Sequence, residues 1–241
     1  MNKNHNNDYY TYKAPVSTHI FTGQIKTKGT SGVERLIEQL KKYYRSSDNV
    51  LEIACGSGRA TFRAIDFMNK IIAIDISKDR INEAGNILKN MKSKKARFEV
   101  MDTRKLKFQN NSFSLIFTLL PSVDLDEYFS EVKRVLEPKG LFIITHSGSH
   151  QMAEAGRFRR MYYLQKTLRL VKKNDFSVLT YFDDIQKLWF NTEKDRWNIV
   201  TIPYWNHPKL GEMKKLIKKF KDEIGYPLTL DKVTLVLRKE G

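Results

Sequence analysis

Between residues 50 and 61 the chain reads Val-Leu-Glu-Ile-Ala-Cys-Gly-Ser-Gly-Arg-Ala-Thr. An apolar run enters a glycine turn, and helical periodicity follows. A strand delivered into such a turn at a helix start presents backbone N–H groups above the edge of a parallel sheet. Glycine at 56 and 58 omits the Cβ atoms that would hold a ligand away from that backbone. The stretch reads as a loop for a nucleotide-type ligand. A dinucleotide fingerprint would need Gly or Ala three residues past Gly58, where this chain has Thr61. Glu52, an acid inside the first strand, would repel a pyrophosphate and suits a cationic ligand.

Further acids follow in order. Ile71-Ile72-Ala73-Ile74-Asp75 is a buried parallel-type strand ending in a carboxylate, which can accept both hydroxyls of a ribose. Ser77 is better placed than Asp75 to cap the next helix, whose face continues through Ile81, Ala84 and Leu88. A third strand, Arg97–Met101, ends in Asp102-Thr103. Ser112-Phe113 leads into Leu115-Ile116-Phe117, and Gly140–Thr145 follows a helix over Leu125–Leu136. Glu52 lies between apolar neighbours that imply burial on both faces, where an unpartnered carboxylate is costly.

The series Glu52-x-Ala54-x-Gly56-x-Gly58, Asp75, Asp102 resembles the motifs of the class I S-adenosylmethionine-dependent methyltransferases. Relatives usually have glycine where this chain has Ala54 and Ala60, and many have aspartate at Ser114. The resemblance covers residues 30–147 closely and Val233–Arg238 more loosely. It implies a Rossmann-like, seven-stranded, mostly parallel sheet with helices on both faces and a lid inserted after strand five. It also implies S-adenosyl-L-methionine as cofactor, held by Glu52, Ala54, Gly56, Gly58, Asp75, Ile76, Asp102, Thr103 and Leu119. In the family Asp75 takes the ribose and Asp102 the adenine amino group. The helix after Gly58 would hold the methionine carboxylate through its free N–H groups and dipole.

Four segments are expected: residues 1–29 as an N-terminal lid or tail, 30–147 as the cofactor-binding core, 148–207 as an aromatic substrate or lid insertion, and 208–241 as a helix and strands completing the core. The first helix begins at Ser31-Gly32 and runs through Val33, Leu36, Ile37, Leu40 and Tyr44. The chain closes with a helix near Pro208–Ile224 and a hairpin, Leu228–Leu230 with Val233–Arg238, turning at Asp231-Lys232. The insertion holds all three tryptophans, Trp189, Trp197 and Trp205. A position after strand five puts it over the carboxyl ends of the strands, where substrates bind. Tyr9, Tyr10 and Tyr12 are candidates to cover the sulfonium.

Cys55, the only cysteine, excludes an intramolecular disulfide framework and suits a reducing, cytoplasmic compartment. It reads as a small hydrophobe in the loop. The amino terminus has no apolar run of a signal peptide, and nothing approaches the roughly 20 apolar residues of a spanning helix. No metal-ligand set is read. The net charge of +16 is spread over both halves and raises RNA as a partner. Most of the lysines fall on solvated helix faces, as in the Lys214–Lys221 pattern.

A methyl acceptor that is a hydroxyl or protonated amine needs a base. His146 and His150 follow strand five and His207 ends the insertion; His146 is the catalytic candidate. Leu119-Leu120-Pro121-Ser122 lacks the Asn/Asp-Pro-Pro-Tyr/Phe of base-amine methyltransferases, and no cysteine beyond the loop could attack a cytosine. The expected activity is methyl transfer to a small-molecule acceptor at an undetermined O, N or C atom. The alternatives are an RNA (tRNA) methyltransferase, favoured by the charge, and a non-catalytic cofactor-binding partner subunit.

Overall fold

The computed structural model describes residues 24–121, 125–148, 162–201 and 221–241. Its elements in chain order are β1 (Gln24–Lys28), α1 (Gly32–Tyr43), β2 (Val50–Ile53), α2 (Thr61–Ala64), β3 (Ile71–Asp75), α3 (Lys78–Asn90), β4 (Ala96–Val100), β5 (Phe113–Leu119), α4 (Leu125–Val135), β6 (Leu136–Ser147), α5 (Tyr162–Lys173), β7 (Phe176–Phe190), α6 (Glu193–Thr201) and β8 (Tyr226–Lys239).

The strands form one sheet in the order β1-β7-β8-β6-β5-β2-β3-β4. β4, β3, β2, β5 and β6 run parallel; β8 is antiparallel to β6 and to β7, and β1 is antiparallel to β7. The chain passes from β2 to β3 on one side, while β5 lies on the other. That reversal opens a crevice at the carboxyl ends of β2 and β5.

Strand alternation builds a core on each face of the sheet. Leu51, Ile53, Ile116, Phe142 and Ile144 pack against Tyr128, Phe129 and Val132 of α4 and Leu170 and Val171 of α5. Val50, Leu115, Phe117 and Ile143 pack on the opposite side against Leu36 and Leu40 of α1 and Ala64 of α2. α1 starts in a capping box, with Ser31 Oγ accepting from Glu34 N and Glu34 accepting from Ser31 N. Arg35 of α1 donates to both carboxylate oxygens of Asp184 on β7 at 2.8 Å, tying helix to strand.

The α/β fold with helices on both faces agrees with the sequence reading, and three features differ from it. The sheet has eight strands rather than seven, because residues 24–28 of the expected tail form β1 on the edge. The hairpin expected at Asp231-Lys232 is absent: β8 runs straight through both residues, which pair with Ile185 and Asp184. β8 takes both β6 and β7 as antiparallel partners, so residues 176–190 of the expected insertion belong to the sheet. Charged Asp231 and Lys232 resemble a turn in sequence, yet both are buried between β6 and β7. Trp189 accordingly serves the strand. It is buried, donates from Nε1 to Asp222 at 2.9 Å, and lies under the Lys26 and Lys187 ammonium groups. Trp197 lies on α6. His150, Trp205, His207, the three amino-terminal tyrosines and most of the helix expected near 208–224 fall outside the described residues.

Candidate cofactor site

β2 is buried along its whole length, and Glu52 is 1% exposed. Its carboxylate accepts a hydrogen bond from the Thr61 hydroxyl at the start of α2. Burial pushes the Glu52 carboxyl up to about 8; the Thr61 bond and the Arg59 charge oppose this, and Asp75 adds to it. Burial likewise holds the Arg59 guanidinium below its usual range, Glu52 opposing and Arg63 adding.

The loop after β2 takes a left-handed path, with φ of 52° at Ala54, 55° at Gly56 and 85° at Gly58. The family's usual glycine at 54 is replaced here by a residue that sits in the same strained region. The loop is anchored to β3: Cys55 N donates to Ile74 O at 2.9 Å, and Gly56 N donates to Asp75 Oδ2 at 2.8 Å.

The two glycines have different roles. A Cβ on Gly56 would meet only the Arg80 guanidinium, at 3.4 Å, so this side of the loop is open. A Cβ on Gly58 would lie 2.8 Å from Phe62 Cε2 and 2.9 Å from Phe98 Cζ. Gly58 is therefore required by two packed rings, whereas the sequence reading assigned it to ligand approach. α2, Thr61–Ala64, has no side-chain cap, and helical bonds continue on either side of it, from Phe62 N to Gly58 O and from Met68 N to Ala64 O.

Asp75, at the end of β3, accepts from Gly56 N through one oxygen and from Ser77 N, at 2.9 Å, through the other. Ser77 caps α3 as expected, accepting from Arg80 N. Each Asp75 oxygen retains a lone pair for a further donor. Ile76 follows, half-buried. Past β4, both oxygens of Asp102 are held by Arg104, through Nε at 3.0 Å and Nη2 at 2.7 Å. Those bonds draw the Asp102 carboxyl below the usual range. Thr103 beside it is buried. Leu119 closes β5, and Leu120 follows with φ of 52°, its N–H bonded to Thr145 O at 2.7 Å. Glu52, Ala54, Gly56, Asp75, Ile76, Asp102, Thr103 and Leu119 thus share the carboxyl ends of four adjacent strands, β4-β3-β2-β5.

His146 stands two strands from Glu52, near the end of β6. It shares the α4–α5 face with Phe142 and Ile144, and Val50 and Glu52 face the other way. Its ring is buried, Nε2 lies 3.3 Å from the Thr167 hydroxyl of α5, and Nδ1 lies 3.1 Å from Ser147 O. Burial pushes the imidazole below its ordinary value, keeping it neutral at pH 7. Three residues not singled out from sequence belong to this region: Thr61, Arg59 and Lys232. Lys232 is 7% exposed, and burial lowers its amine to about 7, Asp231 opposing and Arg59 adding. Only Arg59 and Thr61 carried a sequence signal, by lying within the glycine motif.

The methyltransferase domain family matches residues 45–200, from just before β2 to the end of α6. The chain belongs to that family. Its fold is that of the class I S-adenosylmethionine-dependent methyltransferases. The YcgJ protein of Bacillus subtilis superposes with a TM-score of 0.60 at 17% identity, over 87% of this chain and 98% of that one. Geranyl diphosphate methyltransferase in complex with S-adenosylmethionine superposes with a TM-score of 0.59 at 14% identity, over 86% and 84%. A sterol 4-C-methyltransferase of Caenorhabditis elegans is 27% identical over 154 residues, covering 56% of this chain and 45% of that protein. The chain spans less than half the length of the curated relatives it matches.

The residues fit the family's cofactor. Gly56 leaves the loop open, Asp75 keeps capacity for ribose hydroxyls, and the buried Glu52 carboxyl suits a cation. Asp75→Ala is expected to weaken S-adenosylhomocysteine binding by about 1–3 kcal/mol, the value of lost charge-assisted hydrogen bonds. Calorimetry checks this, and unchanged affinity would remove Asp75 from the ribose site.

Proposed function

We propose that this chain transfers the methyl group of S-adenosylmethionine to a small organic acceptor. The supporting observation is the row of Glu52, Asp75 and Asp102 at the ends of neighbouring strands, beside a loop that only Gly56 keeps open. Relatives named for sterols, phosphoethanolamine and geranyl diphosphate favour a small acceptor over a macromolecule.

When bound, the cofactor supplies a methyl group made electrophilic by its sulfonium. The protein's part is to position and to exclude water. Asp75 would accept from the ribose hydroxyls, Asp102 from the adenine amino group, and Glu52 would face the amino-acid end. Leu119, Ile76 and Thr103 line the walls. Holding acceptor and donor at attack distance supplies on the order of 7–11 kcal/mol of the barrier. His146 serves as base for acceptors that lose a proton; its neutral ring can receive one at Nε2 by way of the Thr167 hydroxyl. The sole cysteine suits the cytoplasm. No helix among the described residues is long and apolar enough to cross a membrane.

Labelled methyl transfer into fractionated extract tests this reading. Label is expected in the small-molecule pool, and His146→Asn is expected to slow transfer without changing cofactor affinity. Label in RNA, lost steeply as salt rises, would overturn the small-acceptor reading and give the +16 charge a function. No label in any pool would leave a binding subunit without turnover.

A further inference from the structure

The two acids at the ends of β3 and β4 differ in the acceptor capacity they have left. Each oxygen of Asp75 accepts one backbone N–H, from Gly56 or from Ser77, and keeps a lone pair. Asp102 keeps none. Its Oδ1 accepts from Arg104 N at 2.9 Å and Arg104 Nε at 3.0 Å, and its Oδ2 accepts from Nε at 3.0 Å and Nη2 at 2.7 Å. A carboxylate offers about four lone-pair sites, and here a single neighbour engages all of them. No further donor can reach Asp102 unless the Arg104 guanidinium moves.

A second acid lies within reach of that guanidinium. Arg104 Nη1 is 3.5 Å from Glu127 Oε2, in the first turn of α4. The three side chains are about equally open to solvent, Asp102 at 34%, Arg104 at 40% and Glu127 at 41%. An exchange of partners among them therefore carries no large desolvation cost. The backbone beside them is pinned to α4: Leu106 N donates to Glu131 Oε2 at 2.7 Å, and Arg134 donates to Leu106 O and Phe108 O at 2.8 Å. The loop can stay in place while the guanidinium turns. Turning toward Glu127 would clear the Asp102 carboxylate and shorten the 3.5 Å contact into a hydrogen-bonded pair.

We propose that Arg104 is a latch on the cofactor site, competing with the adenine amino group for Asp102 and yielding by moving onto Glu127. The inference rests on the S-adenosylmethionine reading above, with Asp102 facing the adenine. The amino group then gains only the difference between its own bonds and those it displaces. Cofactor affinity is set below what an unlatched Asp102 would give.

Titration calorimetry with two probes tests this without turnover. One is S-adenosylhomocysteine; the other is its analogue with hydrogen in place of the adenine amino group. Arg104→Met is expected to bind S-adenosylhomocysteine about 2–5-fold more tightly than wild type, the worth of an exposed ion pair. The analogue should bind both proteins alike, because it asks Asp102 for no bond. Glu127→Gln removes the second seat, so it should weaken S-adenosylhomocysteine about 2-fold and have no effect once residue 104 is changed to methionine. A residue that only braced the loop would move both probes together. Weaker or unchanged binding of S-adenosylhomocysteine by Arg104→Met, or an equal change for both probes, overturns the latch. Weakening by Glu127→Gln that is absent in the wild-type background, or persists in the double variant, overturns the move to Glu127. Failure of the wild-type protein to bind either probe overturns the cofactor reading itself, whereas wild-type binding with the wrong variant ranking removes the latch alone.

Discussion

Gly58→Ala is expected to destabilise the protein by about 2–4 kcal/mol, combining left-handed strain at a non-glycine residue with overpacking. At φ of 85° the backbone is already in a region that L-residues avoid. The added methyl would also enter the space of Phe62 and Phe98, whose ring centroids are 5.5 Å apart. Phe98 cannot withdraw cheaply, because behind it lie Cys55, Ala73 and Ile81. Gly56→Ala is the control, with similar backbone strain but only the flexible end of Arg80 nearby. The position-58 variant should therefore lose more stability in urea unfolding, and the position-56 variant should lose more affinity for S-adenosylhomocysteine. The reverse ranking would return Gly58 to the ligand-approach role read from sequence.

Glu52→Gln should have the second large effect, and of opposite sign on stability. The carboxyl is pushed up to about 8 in the folded chain, against about 4.5 when unfolded. The folded state therefore holds this proton more tightly than the unfolded state. Its contribution to stability is greatest below the unfolded value and is lost as pH rises toward 8, at about 1.4 kcal/mol per pH unit. A glutamine keeps the shape and can still accept from Thr61, so the variant should lose this slope and be more stable than wild type at pH 8. It should bind S-adenosylhomocysteine about 10–100-fold more weakly, for want of a charged partner for the ammonium. Wild-type affinity should rise with pH up to about 8, since pairing with the ammonium expels the proton. Calorimetry in two buffers of different ionisation enthalpy detects that release. A slope that persists unchanged in the variant would mean that another group carries it.

The parts of this architecture legible in the sequence are those whose partners are close along the chain or repeated in kind. β2 and β3 are buried on both faces, so they appear as apolar runs, and the acids within or just beyond them stand out. Ser31 and Ser77 cap helices whose apolar faces follow directly. β7 could not be found this way. As a strand near the edge it leaves Val178, Leu179, Tyr181 and Ile185 exposed and carries Asp183, Asp184 and Lys187 among its aromatics, so neither period dominates. Its identity depends on pairing with β8, which follows α6 and a further stretch of chain. The same long-range pairing buries Asp231 and Lys232, whose charges suggest a solvated turn. In the site, the acids were evident from type and position. The role of Gly58 rests on rings from two other elements, Phe62 and Phe98, so it could not be read locally.

The strand order also bears on how the chain is made. β2 through β6 can assemble into a parallel block as each emerges from the ribosome. β7 follows, but its seat lies one place beyond β6, and the intervening place belongs to β8. β1, synthesised before all of them, pairs only with β7 and so docks among the last. At about 5–20 residues per second, the sheet stays divided for on the order of seconds, with the edges of β6 and β7 unpaired. Truncation within β8 would leave those two strands facing an empty slot. The vulnerable period for misassembly is thus late in synthesis, after the cofactor loop has already been built.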